Sequence, residues 1–195
     1  MALTRARVIC GPGELPVRIE RAIRDVLVRP RDGAKLAADV ADMRARMGRE
    51  RREQGEWVIK YQRGGLVDIE FIVQFLLLRH AARHPEVLAA NTSRALDNLK
   101  EAGVLRGGAA EALSNALTLW RQLHGLLRLT VDGRLDERKA PPGLKSLLAA
   151  AAGARDFEDL KAHMRRAAER ARNCFREIIE EPAARAASGG SKGEG

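Results

Sequence analysis

The stretch that most constrains the fold is the run Leu66 to Leu78, in which ten apolar side chains are interrupted only by Asp68, Glu70 and Gln74. A strand of about 5–6 residues is too short for it, so the length argues for a helix. A helix that is apolar almost all round is a buried one. Gly64 and Gly65 precede it, after a basic side chain at Lys60 and another at Arg63. The glycines read as a loop opening into the helix. Glu70 and Gln74, four apart, share one face. Asp68 falls in the first turn, where a carboxylate suits the positive end of the helix dipole. Loose backbone, two cations and a helix start could together receive a phosphate, with Lys60, Arg63, Gly64 and Gly65 nearest to it. The plainer reading is a Gly-Gly turn, solvated cations and an Asp68 that only stabilises the helix start. Glu70 is harder to dismiss, because a charge inside an apolar helix needs a partner. An arginine is the economical one, and Arg121 or Arg128 could supply it.

The rest of the chain reads as helical. It has 195 residues, enough for one domain with at most a small appendage. Ala, Leu, Arg and Glu dominate, and alternating β-branched runs are lacking. No uncharged run is long enough to span a membrane. The first residues carry no secretory signal pattern. Cys10 and Cys174 make no metal spacing and read as a reduced pair, which points to the cytoplasm. The net charge of +9 invites a nucleic-acid reading. Arginine outnumbers lysine 28 to 7, alternates with acids and is seldom joined by aromatics, which argues against it.

In chain order, Leu15, Ile19, Ile23, Val26 and Leu27 keep helical spacing between Pro16 and Pro30. Asp32 or Gly33 opens the next helix, with Leu36, Val40, Met43 and Met47 as its stripe. Its far end, Arg44 to Glu53, reads as a solvated charged face. Asn91 or Thr92 caps a short helix closed by Gly103. A long helix follows with Leu113, Leu117, Trp120, His124, Leu127 and Val131 on one stripe, where His124 reads as a hydrogen-bonded core histidine. Asp156 opens a last helix with Phe157, Leu160, Met164, Ala167, Ala171, Cys174 and Ile178 in strict three-four alternation. The sum is an all-α bundle of about seven to eight helices over residues 1–182. The Ala, Gly and Ser tail, residues 183–195, is expected to be disordered. No nucleophile–base pair, metal cluster or P-loop is found.

Several runs carry a resemblance: Leu3-Thr4-Arg5-Ala6-Arg7-Val8, Val28-Arg29-Pro30-Arg31-Asp32, Asp39-Val40 with Met43-Arg44, and above all Lys60-x-x-Arg63-Gly64-Gly65-Leu66-Val67-Asp68-Ile69-Glu70-Phe71-Ile72-x-Gln74. Together they resemble the glutamine synthetase adenylyltransferase family. Its members add AMP to, and remove it by phosphorolysis from, a tyrosine of glutamine synthetase, using two nucleotidyltransferase units that each pair a catalytic α/β domain with a helical domain. The resemblance covers about residues 2–180 and points to the helical domain after the second catalytic domain. It implies a parent enzyme using ATP and magnesium, and glutamine synthetase and the PII signal protein as partners. The Gly-Ser turn with paired aspartates that holds magnesium in such enzymes has no match here. Gly190-Ser191 has no aspartate after it. The chain alone is therefore expected to bind no metal or ATP and to transfer no AMP. Three roles follow as expectations: completing the nucleotide cleft of an absent catalytic domain, with Asp68 and Glu70 orienting Lys60 and Arg63 or a cation; docking glutamine synthetase or PII; and, with the resemblance set aside, a basic helical nucleic-acid-binding module.

Overall fold

The computed structural model describes residues 1–50 and 55–190, and among these there is no strand. Eight helices are present: α1 (Leu15–Leu27), α2 (Gly33–Glu50), α3 (Leu66–His80), α4 (Thr92–Glu101), α5 (Gly107–Thr130), α6 (Pro142–Ala151), α7 (Phe157–Phe175) and α8 (Glu181–Gly190). A 3-10 turn, Ala2–Arg5, leads the chain, and a π-helical segment, Arg176–Glu180, joins α7 to α8. The all-α expectation holds, and it holds for the stated reason. Helix α3 is the axis of the core, with Ile69, Ile72 and Phe75 wholly buried, and α2, α4, α5 and α7 pack around it.

Helix ends follow local chemistry. The Asn91 side chain accepts from the amides of Ser93 (2.9 Å) and Arg94 (3.2 Å), and Asp156 accepts from Asp159 (2.8 Å). Asp32 caps α2 through the amides of Ala34 (2.8 Å) and Lys35 (3.1 Å). Buried Leu113, Leu117 and Trp120 lie on α5 and buried Leu160, Met164 and Ala171 on α7, and the two helices pack together.

Three expectations need correction. The α1 stripe is largely uncovered: Leu15, Ile19 and Val26 are exposed and only Leu27 is buried. On α2 the buried residues are Ala37, Val40 and Arg44, while Met43 is exposed. That phase carries Arg44 inward, out of the charged stretch expected to be solvated, whose last residues, 51–53, lie outside the described residues. The chain after Pro182 continues as helix α8 and packs on α2. Pro182 lies just past the π segment, an interruption of the regular ladder of the kind that accompanies a proline within a helical run. The alanines beyond it are the best helix formers, and Ala183 joins the core. Residues 191–195 of the expected tail lie outside the described residues.

Gly64 sets the distance between α3 and α7. Its φ is +78°, and a Cβ there would stand 1.9 Å from the Ala168 carbonyl oxygen. Gly103 has a similar φ of +68° with open space around it. Gly103→Ala is expected to lose about 1–2 kcal/mol from the left-handed conformation alone. Gly64→Ala adds a backbone clash and should lose more than about 3 kcal/mol in urea denaturation. Equal losses would show that the close approach is not limiting.

Candidate functional site

The glycine junction is built from the loop upward. The Val58 carbonyl accepts from the amides of Tyr61 (3.0 Å) and Gln62 (2.9 Å), and the Gln62 carbonyl accepts from Gly65 (3.0 Å). The amides of Leu66 and Val67 donate back to the carbonyls of Ile59 (3.2 Å) and Lys60 (3.1 Å). These are donors a phosphate at the start of α3 would use, and the loop itself occupies them. Both glycines are buried. Gly65 lies against the loop, so that a Cβ would meet the Ile59 oxygen at 2.3 Å. The Gly64 carbonyl accepts from the Trp120 indole at 3.0 Å. The pair of glycines thus lets α5, α7 and the loop close on the head of α3.

Asp68 holds this arrangement from inside. It is wholly buried. One carboxylate oxygen accepts from the Arg44 guanidinium Nε, and the other from the Gly64 amide at 2.6 Å. Arg44, only 4% exposed, also donates to the carbonyls of Tyr61 (2.9 Å) and Gln62 (3.4 Å). Its planar fork therefore binds the carboxylate and the turn at once. Arg63 approaches the same Asp68 oxygen at 3.8 Å, lies over the Phe175 ring at 4.9 Å and pairs with Glu180 of the π segment. The expected buried charge with an arginine partner exists, but it is Asp68 with Arg44 rather than Glu70. The first-turn position of Asp68 suggested only a dipole role.

The remaining candidates go elsewhere. Glu70 is partly exposed and pairs with Arg5 at 3.0 Å, across to the leading 3-10 turn. The anticipated Arg121 donates instead to Ser93 Oγ at 2.8 Å, and Arg128 lines a cleft on α5. Gln74 is buried on α3 and hydrogen-bonds to none of the others. Lys60 is exposed, with its ammonium 5.2 Å from the Tyr61 ring centre, and lines the same cleft as Arg128. His124 lies there too, half-buried and with no hydrogen-bond partner among the described residues, so it is not the satisfied core histidine expected. The set therefore divides. Arg63, Gly64, Gly65 and Asp68 converge on one buried knot, and Lys60, Glu70 and Gln74 stand apart from it. Asp68 and Glu70 each face an arginine in separate surroundings and do not form a magnesium site between them. Among the described residues no group of three or more His, Cys, Asp or Glu side chains could hold a metal ion.

Sequence reasoning missed Arg44, Trp120 and Glu180 as members of the knot. Arg44 left a trace, since Ala37, Val40 and Arg44 share a helical phase. Glu180 left none.

A profile of the family described as GlnD PII-uridylyltransferase matches residues 34–181. The bifunctional glutamine synthetase adenylyltransferase/adenylyl-removing enzyme of Bradyrhizobium diazoefficiens is 42% identical over 180 residues, which is 92% of this chain and 18% of the relative. The enzyme of the same name from Rhodopseudomonas palustris strain BisB5 is 43% identical over 179 residues, with the same two shares. That of Caulobacter vibrioides is 41% identical over 181 residues, again 92% of this chain and 18% of the relative. The chain thus spans about one-fifth of the length of the curated relatives it matches.

The two carboxylates of the motif are expected to separate in a denaturation experiment. Asp68→Asn leaves Arg44 buried without its counter-charge and should lose about 3–5 kcal/mol. Glu70→Gln opens only an exposed pair with Arg5 and should lose less than about 1 kcal/mol. The reverse order would place the structural charge at Glu70.

Proposed function

Because the chain belongs to the GlnD PII-uridylyltransferase family, we propose that it is the helical domain of a glutamine synthetase adenylyltransferase and works by packing on a catalytic domain. The parent activity is transfer of AMP from ATP to glutamine synthetase, with its reversal by phosphorolysis, in the cytoplasm and with magnesium held by the catalytic domain. Among the described residues no helix is long and apolar enough to cross a membrane, which agrees with a water-exposed setting.

One observation carries the packing role. Among the described residues, Leu3, Ile9, Leu15, Val17, Ile19 and Val26 are six of the nine exposed large hydrophobic side chains, and all six fall within the first 26 residues. A groove of about 580 Å³ runs beside them, lined by Ala6, Val17, Ile23 and Leu88 with Arg7 and Arg24. Exposed apolar side chains gathered on one segment and rimmed by charge are the mark of a protein interface. The Arg5–Glu70 pair ties this flank to the head of α3, so a domain seated on it would feel the position of the glycine junction. The occupant is the nucleotidyltransferase domain. The relatives carry four-fifths of their length outside the matched region, and their being enzymes supports a catalytic unit there.

The test supplies the unmatched part of the Bradyrhizobium diazoefficiens relative as a separate polypeptide and measures binding by titration and AMP incorporation into glutamine synthetase. The intact chain should bind and raise incorporation. Val17→Glu with Ile19→Glu removes two exposed apolar contacts worth about 1.5–3 kcal/mol each when buried. It should weaken binding at least about tenfold without lowering the chain's own melting temperature. No binding by the intact chain, or undiminished binding by the variant, would sink the packing role. Glutamine synthetase and PII alone, titrated in the same format, test whether either docks on this domain directly.

A further inference from the structure

A second feature of the molecule is independent of that flank. A cleft of about 330 Å³ opens between the loop at residues 57–61 and the C-terminal half of α5, and no residue of α1 lines it. Its size is at the lower end of the roughly 300–1,000 Å³ of small-molecule sites. The aromatic rings of Trp57 and Tyr61 line it, with the side chains of Lys60, His124 and Arg128.

The charge in this cleft is one-sided. Neither Lys60 nor Arg128 has a carboxylate partner among the described residues, and the Lys60 ammonium lies 5.2 Å from the Tyr61 ring centre. Two nearby acids are engaged elsewhere, and Asp132, between the lining residues Val131 and Gly133, does not itself line the cleft. Glu137 accepts from the Trp57 indole (2.7 Å) and from Lys161 (3.1 Å), and Glu56 pairs with Arg165 (3.3 Å). Arg128 gains something from the negative end of the α5 dipole, but Lys60 stands on a loop and has no such compensation. His124 registers the excess. Burial first, then Arg128 and Lys60, hold its pKa below the usual histidine value. Two like charges placed to repel a third across an open space create a potential that an anion relieves. Trp57 is already fixed, stacked on Phe157 at 5.4 Å with its indole nitrogen bonded to Glu137, so little ordering is needed to receive a flat ligand.

We propose that this cleft is a binding site for a small phosphate monoester, with Lys60 and Arg128 holding the phosphate, His124 adding a donor when protonated, and Trp57 and Tyr61 flanking the ester's apolar body. Both cations are exposed and lie outside the buried knot, so their removal leaves the fold intact.

The intact chain reports the event itself. Of its two tryptophans, Trp120 is wholly buried against Gly64 and Trp57 alone lines the cleft. Phenyl phosphate and inorganic phosphate are titrated at constant ionic strength while tryptophan fluorescence is followed. The His124 ring is titrated by proton NMR with and without ligand and assigned by its loss in His124→Gln. Phenyl phosphate should produce a saturable change and raise the His124 pKa, and should bind at least tenfold more tightly than inorganic phosphate. Lys60→Ala with Arg128→Ala should weaken it at least about tenfold, since both charge-assisted hydrogen bonds to the phosphate are lost, while the circular dichroism melt stays put. No saturable change up to about 10 mM, weaker than millimolar recognition, overturns the site. So does a double variant within twofold of the intact chain. Equal affinity for the two probes overturns the part assigned to Trp57 and Tyr61. Because the readouts need no catalytic domain, failure here leaves the packing proposal standing, and failure there leaves this one standing.

Discussion

A single buried ion pair organises this molecule. Asp68, in the first turn of an otherwise apolar helix, must be matched where it sits, because a lone carboxylate out of water is far more costly than any one packing defect. Arg44 matches it from α2, and the same guanidinium reaches two loop carbonyls. The loop therefore cannot take another path without stranding the carboxylate, the arginine or both. Gly64 completes the arrangement by giving its amide to Asp68 and its carbonyl to Trp120. Four helices, α2, α3, α5 and α7, are located relative to one another at this one turn.

Such a knot explains why a Gly-Gly sequence is needed where the chain could otherwise carry any small residue. At Gly64 the constraint is the α7 backbone, and at Gly65 it is the loop folding back on itself. Neither is the approach of a ligand. A glycine pair beside two basic residues resembles a phosphate cradle in sequence, and close packing of protein against protein leaves the same trace.

The parts of the fold legible in the sequence were those fixed by local chemistry or by long periodicity. The length of the Leu66 to Leu78 run excluded a strand. Asn91 and Asp156 marked helix starts because their side chains bond amides two or three residues on. The α5 and α7 stripes showed by their period which faces are buried. The candidate site was only partly legible. Asp68 and Glu70 are two residues apart, and which of them is buried depends on Arg44, 24 residues before Asp68, and on Arg5, 65 residues before Glu70. No spacing rule spans such intervals. The α1 stripe shows the opposite failure. Its periodicity is sound, yet it says only that one face is apolar and not whether this chain covers it.

The wide turn at Arg176–Glu180 has a consequence for the end of the molecule. A π segment is equivalent to one residue inserted into an α-helix, so everything after it is turned by about 100° relative to an unbroken helix. That offset lets one continuous rod satisfy two masters. Before it, Ala171 and Cys174 face the core beside α5, at its end Glu180 reaches Arg63, and after it Ala183 returns to the core from α8. The rod's last stretch is in effect geared to the glycine knot by a phase change rather than by a break in the chain.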